Sequence, residues 1–182
     1  MKVDTVDDKD LFKKEYFGAK PCKCKWWAPT TPQGWQSVLE NIEHSVKTNE
    51  KIVMTKTAGY IITKPKHSWS SQLCDLYKEF KPDNQYIQAH LYVSLFGFSE
   101  LFNKHNDPDQ NIFVVAGEGS ADWSIDGYDD FVLDEQEVLY LPGILYHQAK
   151  SKGPRYSMSV VIETEESYNR DNTSGDLIKA GV

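Results

Sequence analysis

Gln85-Tyr86-Ile87-Gln88-Ala89-His90-Leu91-Tyr92-Val93-Ser94-Leu95 is the stretch at which the apolar period of this chain changes from 3.6 to 2. Ile87, Ala89, Leu91, Val93 and Leu95 alternate with Gln88, His90, Tyr92 and Ser94. Side chains alternate across a strand, so this segment has one apolar face and one mixed face. The apolar face is expected to pack on helices. The mixed face either lines a barrel mouth or simply meets water.

Downstream the same period continues. Candidate strands are Asn111–Ala116, Ala121–Ile125, Phe131–Leu133, Val138–Leu141, Leu145–Ala149 and Arg155–Ile162, short and divided by Gly, Pro, Asp or Asn turns. Upstream, Ser37–Val46 puts Val38, Leu39, Ile42 and Val46 on one helical face. Ser71–Phe80 does the same with Leu73, Leu76, Tyr77 and Phe80 before Pro82, and Ile52–Thr55 and Tyr60–Thr63 read as short β segments. The pattern predicts a mainly β domain with N-terminal helices, built as a sandwich or barrel. Residues 1–164 form that domain in this reading, and 165–182 a polar C-terminal tail.

At 182 residues the chain is long enough for one domain with its own core. Its residues are 40% hydrophobic and 26% charged, a globular and not a disordered composition. The formal net charge of −7 argues against a nucleic-acid backbone as the main partner. No apolar run approaches the ~20 residues that span a bilayer, and the first residues lack the basic and apolar regions of a secretory signal. The three cysteines, Cys22, Cys24 and Cys74, lack paired metal spacing and form no disulfide framework. A cytoplasmic protein is expected. Trp26, Trp27 and Trp35, with Pro29 and Pro32, read as packing residues covering a sheet edge, with a substrate groove as the alternative.

Chemistry concentrates in His105-Asn106-Asp107 and in His147, forty residues beyond Asp107. In an extended segment His105 and Asp107 point the same way. His147 follows Leu141-Pro142-Gly143-Ile144-Leu145-Tyr146, at the start of a later strand. Two imidazoles and one carboxylate can hold a divalent metal on one face and leave the opposite positions open. A loop histidine beside a turn-forming Asn-Asp-Pro is the plainer alternative.

Several segments follow one another in an order that resembles a known family. They are Ala89-His90-Leu91-Tyr92-Val93-Ser94, Phe102-Asn103-Lys104-His105-Asn106-Asp107, Asn111-Ile112-Phe113-Val114-Val115 and Gly119-Ser120-Ala121-Asp122-Trp123. Val138-Leu139-Tyr140-Leu141-Pro142 and His147 complete the set, and Leu11-Phe12-Lys13-Lys14-Glu15-Tyr16-Phe17-Gly18-Ala19-Lys20-Pro21 is similar to the family's entry helix. The order resembles the JmjC/cupin-like iron(II), 2-oxoglutarate-dependent oxygenases, closest to the branch containing the ribosomal-protein hydroxylases. The resemblance implies a double-stranded β-helix (cupin, jelly-roll) holding Fe(II) through His105, Asp107 and His147. It also implies 2-oxoglutarate and O2 as co-substrates and hydroxylation of a protein side chain. If the mixed face of the Tyr86–Leu95 strand lines the barrel mouth, Tyr92 and Ser94 become hydroxyl donors to 2-oxoglutarate.

The chain departs from that pattern at two places. Members often anchor the distal carboxylate of 2-oxoglutarate with a Lys or Arg two residues before the Trp, where this chain has Ala121. Arg155-Tyr156-Ser157 resembles the Arg-x-Ser element of other 2-oxoglutarate oxygenases and offers a replacement. If the turn Ser151-Lys152-Gly153-Pro154 closes a hairpin, Arg155 and Ser157 become cross-strand or diagonal neighbours of His147. A guanidinium would bind the carboxylate through two hydrogen bonds; a surface arginine after a turn is the alternative. The second departure is Asn111, which stands where H-x-H cupins carry a fourth ligand, Glu. It would serve as a hydrogen-bonding residue behind the ligands or co-substrate, or merely begin a strand. Rival functions are a metal-dependent cupin enzyme that does not use 2-oxoglutarate, such as a small-molecule dioxygenase or isomerase, and a non-catalytic cupin binding module.

Overall fold

A computed structural model describes residues 1–25, 34–48, 52–54, 59–63, 65, 68–96, 99–100 and 103–173. Trp26, Trp27, Pro29, Pro32, Thr55 and Phe102 lie outside the described residues. The elements run β1 (Asp4–Val6), α1 (Lys9–Glu15), β2 (Cys22–Cys24), α2 (Trp35–Thr48), β3 (Ile52–Met54), β4 (Gly59–Thr63) and α3 (Ser68–Tyr77). After a 3-10 turn at Lys78–Phe80 come β5 (Tyr86–Ser94), β6 (Ser99–Glu100), β7 (Gln110–Ala116), β8 (Ala121–Ile125) and β9 (Phe131–Leu133). The chain then forms β10 (Val138–Pro142), β11 (His147–Ser151), β12 (Arg155–Glu163) and α4 (Glu165–Thr173).

The strands build an eight-stranded sheet, ordered β1-β2-β10-β7-β12-β5-β4-β3, and a four-stranded sheet, β6-β11-β8-β9. This is the jelly-roll architecture that the alternation predicts. Every residue of β12 is buried, because the strand pairs with β7 on one side and β5 on the other and both of its faces are covered. The expected hairpin between β11 and β12 does not form: β11 pairs with β6 and β8 in the other sheet. A nine-residue strand with two apolar-compatible faces needs long partners on both edges, and β5 and β7 supply them where the shorter β11 could not.

Two apolar layers follow from the strand periods. Ala89, Leu91, Val93, Phe113, Val115, Met158, Val160 and Ile162 point out of the large sheet and meet Phe12, Trp69, Leu73 and Tyr77 from the helices. Phe12 packs edge-on against Phe80 (5.4 Å) and Tyr140 (4.8 Å), while Tyr77 stacks on Phe113 at 4.4 Å. Each such buried side chain contributes roughly 1.5–3 kcal/mol. The face of α2 differs from expectation. Val38 is buried and Ile42 packs on the core, but Leu39 and Val46 are exposed, Val46 by 60%, and Ser45 is buried in their place. In α3 Leu76 is likewise exposed, with Trp69 and Ser70 buried instead.

The second layer lies between the sheets. Ile112, Val114, Leu139 and Leu141 of the large sheet meet Trp123, Ile125 and Leu133 of the small one. That apolar packing fills the side under β7 and β10. The side under β12 and β5 is lined by more polar residues and stays hollow. The segment after Thr164, expected as a polar tail, begins as α4. Ser167 is buried there and donates to Glu163 (2.7 Å), and Tyr168 stacks on Tyr86 at 4.5 Å. No helix among the described residues is long and apolar enough to cross a membrane.

Candidate active site

The loop before β7 carries His105 and Asp107, and His147 opens β11 just after a second loop; the backbone ties the two loops together. His105 N–H donates to the His147 carbonyl (3.1 Å) and His147 N–H to the His105 carbonyl (2.7 Å). Asp107 N–H donates to the Gly143 carbonyl, and Gly143 N–H to the Gln110 carbonyl, both at 2.8 Å. This approach requires glycine: a Cβ at Gly143 would sit 1.9 Å from the Asp107 carbonyl oxygen. The Pro-Gly pair that marks a turn in the sequence is thus the point at which the two loops touch.

One ligand atom from each of His105, Asp107 and His147 lies within 4.8 Å of the other two. Asp107 Oδ2 is 3.6 Å from His105 Nε2 and 3.5 Å from His147 Nε2. The Nδ1 of His105 is 2.7 Å from the Asn103 carbonyl, and that of His147 is 3.0 Å from the Leu145 carbonyl. A carbonyl only accepts, so each Nδ1 carries the proton and each Nε2 turns its lone pair to the shared centre. Burial also holds the His147 pKa below its ordinary value, which favours the neutral, ligating imidazole. The donor set and its orientation fit a divalent metal with open positions. His105 and Asp107 keep 34% and 28% of their side chains exposed, so the centre sits at the rim.

Behind it lies a cavity of about 430 Å³, within the usual range for small-ligand sites. His105, Asp107 and His147 line one end, and Tyr92, Arg155 and Ser157 line its wall. Arg155 and Ser157 share the inward face of β12, as the alternation predicts, but they reach the cavity from the sheet opposite His147. Ser94 and Asn111 do not line it. Ser94 is fully buried, donating to the Phe96 carbonyl (2.9 Å) and accepting from Ser151 Oγ (3.0 Å). Asn111 faces the helical layer, where its Oδ1 accepts from the Tyr140 hydroxyl at 2.6 Å. Its neighbours Gln110 and Ile112 take the cavity side.

Arg155 is the unusual residue. It is buried, its Nε has no hydrogen-bond partner among the described residues, and its Nη1 reaches only Ser157 Oγ, at 3.5 Å. Among the described residues no carboxylate pairs with it, and burial pushes its pKa down to about 10. An unpaired buried charge is strongly unfavourable, so the position is built for an anion. Space for it comes from Gly119, with φ of +81°, where a Cβ would fall 2.8 Å from the Arg155 Cβ. Ala121 belongs to the apolar layer beside it.

Depth can be read from the register. In β11, His147 pairs with Ile125 at the rim and Ser151 pairs with Ala121 at the deep end. Ser151 in turn touches Ser94, which is opposite Arg155 in the sheet. The four steps from His147 to Ser151 span about 13 Å along the strand, so Arg155 enters the cavity well below the rim.

Trp123, His90 and Ser159 also line the cavity. Parity already puts His90 on the mixed face with Tyr92 and Ser159 on the face of Arg155 and Ser157, whereas Trp123 stands out only within the family-like segment Gly119–Trp123.

No protein-family model matches the sequence, and no curated protein matches it. Solved structures do. The chain is similar to YcfD, a ribosomal oxygenase from Escherichia coli, with a TM-score of 0.65 and 14% identity over 94% of this chain and 55% of that one. The YcfD complex with cobalt and 2-oxoglutarate gives 0.68 and 13% over 93% and 55%. The complex with cobalt and succinic acid gives 0.63 and 15% over 88% and 52%. The chain therefore has the cupin-like jelly-roll fold it shares with YcfD, and it spans about half the length of that protein.

Proposed function

We propose that this protein is an Fe(II)- and 2-oxoglutarate-dependent oxygenase. His105, Asp107 and His147 would hold the iron, and Arg155, Ser157 and Tyr92 the 2-oxoglutarate. The observation that carries this reading is that a three-residue centre and a buried guanidinium with no carboxylate partner among the described residues line one cavity. YcfD, which shares the fold, is described in complex with cobalt and 2-oxoglutarate.

Bound iron supplies oxygen activation coupled to decarboxylation of the keto acid. The chain's own residues orient and enclose. Leu145 and Asn103 carbonyls fix the two imidazoles, and Arg155 takes the distal carboxylate through parallel hydrogen bonds. The apolar side chains of Ile112, Val114 and Leu141 form a wall beside the metal centre and shield it from water. Ser94 and Asn111 have no direct part, since their polar atoms are engaged elsewhere. A protein side chain is the substrate in this reading, supported by the exposure of the centre at the rim and by the likeness to a ribosomal oxygenase.

The test is an anaerobic titration of iron(II)-loaded protein with 2-oxoglutarate, followed by the visible metal-to-ligand charge-transfer band. The band forms in the parent chain and is absent in His147→Ala. Iron binding without a band would favour the second reading, a cupin metalloenzyme that does not use 2-oxoglutarate, to which the small residue at Ala121 points. Asp107→Ala is expected to abolish 2-oxoglutarate turnover.

A further inference from the structure

We propose that the indole N–H of Trp123 is a donor to the anionic co-substrate, so that the keto acid is gripped from both sheets. The inference rests on the co-substrate reading above. Arg155 approaches from the large sheet and Trp123 from the small one, and both line the cavity.

Trp123 stands on the inner face of β8, opposite Ala149 in β11 and Phe131 in β9. Its row lies between the His147–Ile125 row at the rim and the Ser151–Ala121 row at the deep end. The indole is therefore level with the space that separates the metal centre from the guanidinium. Its ring runs nearly parallel to that of His147, at 25° with centroids 6.0 Å apart. The residue is 5% exposed, and Nε1 has no hydrogen-bond partner among the described residues.

An indole nitrogen only donates. The apolar residues packed with it, Ile112, Val114 and Leu133 among them, offer no side-chain acceptor. His147 offers none either, because its Nδ1 proton goes to Leu145 and its Nε2 faces Asp107. A phenylalanine would supply the same packing and stacking without burying a polar group. The N–H is the part of this side chain that packing does not explain, and a carboxylate or keto oxygen in the cavity would satisfy it. Two buried donors on facing walls then select a ligand with acceptors on both sides, a dicarboxylate keto acid in preference to a monocarboxylate.

The test uses the zinc-loaded chain with its five tryptophan indoles labelled with ¹⁵N. The Trp123 signal is identified by its loss in Trp123→Phe and by its proximity to His147 and Ala149. On titration with 2-oxoglutarate this signal moves downfield, and calorimetry shows Trp123→Phe binding the keto acid about tenfold more weakly. If heat is released but the Trp123 signal stays fixed at saturation, the inference falls and the co-substrate reading stands. If the parent chain gives no heat, both fall. Should Trp123→Phe fold poorly, the titration of the unaltered chain decides.

Discussion

His147 and Arg155, eight positions apart in the chain, lie in opposite sheets and face one cavity. The short connection after Ser151 carries the chain across the barrel, from the end of β11 to the start of β12. One turn thus delivers a candidate metal ligand to one wall and a cation to the other. Neither residue could approach the other as a hairpin neighbour, because their strands share no hydrogen bonds.

The isolation of Arg155 makes a prediction with an unusual sign. Replacing a paired buried charge usually destabilises, but this guanidinium has no counter-ion among the described residues. Arg155→Met should leave unfolding free energy unchanged or raise it, while weakening 2-oxoglutarate binding by about a hundredfold, since a charge-assisted bidentate contact is lost. Metal affinity without the keto acid should not change. Urea denaturation and calorimetry measure the two effects, and a clearly destabilised variant with intact binding would sink the idea.

Gly143 offers a structural test of how the loops meet. A Cβ there overlaps the Asp107 carbonyl at 1.9 Å and crowds the Gln110 carbonyl at 2.7 Å. Backbone cannot rotate out of the way as a flexible side chain can. Gly143→Ala should cost about 2 kcal/mol or more of stability and weaken zinc binding at least tenfold, through displacement of Asp107. Unaltered zinc affinity by competition with a chromogenic chelator would show that the loops have slack.

The period change at Gln85 and the H-x-D…H spacing made the barrel and the candidate ligand triad legible, because both depend on local alternation and order. What escaped was pairing. Alternation places Arg155 and Ser157 on one face of β12 but does not say which strand lies beside it. Hydrophobicity alone chose Leu39 and Val46 for the face of α2, whereas packing buries Ser45. β1 and β2, of three residues each, are too short to show a period and exist through pairing with each other and with β10. Of the two roles that counting from Asp107 offered Asn111, the strand start fits: it is the second residue of β7, and its side chain turns to the other face.

That reversal is testable. Asn111→Ala removes the acceptor of the Tyr140 hydroxyl in a largely buried layer, which should cost about 1–3 kcal/mol. Its 2-oxoglutarate affinity should match the parent chain. Ser157→Ala should do the opposite, weakening the keto acid severalfold with little change in stability. A fall in co-substrate affinity for Asn111→Ala comparable to that of Ser157→Ala would return Asn111 to the site.

The last prediction concerns pH and the metal-free chain. Burial is the main cause that lowers the His147 pKa; the carbonyl of Leu145 and the carboxylate of Asp107 oppose it, and His105 adds to it. The unfolded chain therefore takes up a proton on this imidazole before the folded chain does, as pH falls through the ordinary value near 6.5. Between that value and the lower folded one, the unfolded state binds more protons, so stability drops with falling pH. The contribution is complete above about pH 7 and is lost progressively on the acid side. Metal-free parent and His147→Gln should be unfolded in urea at a series of pH values from about 8 to 5. The parent should lose more stability over that window, because glutamine has no proton to gain. Parallel curves would mean that His147 is not held neutral by its surroundings, and that the centre does not come pre-set to accept a metal.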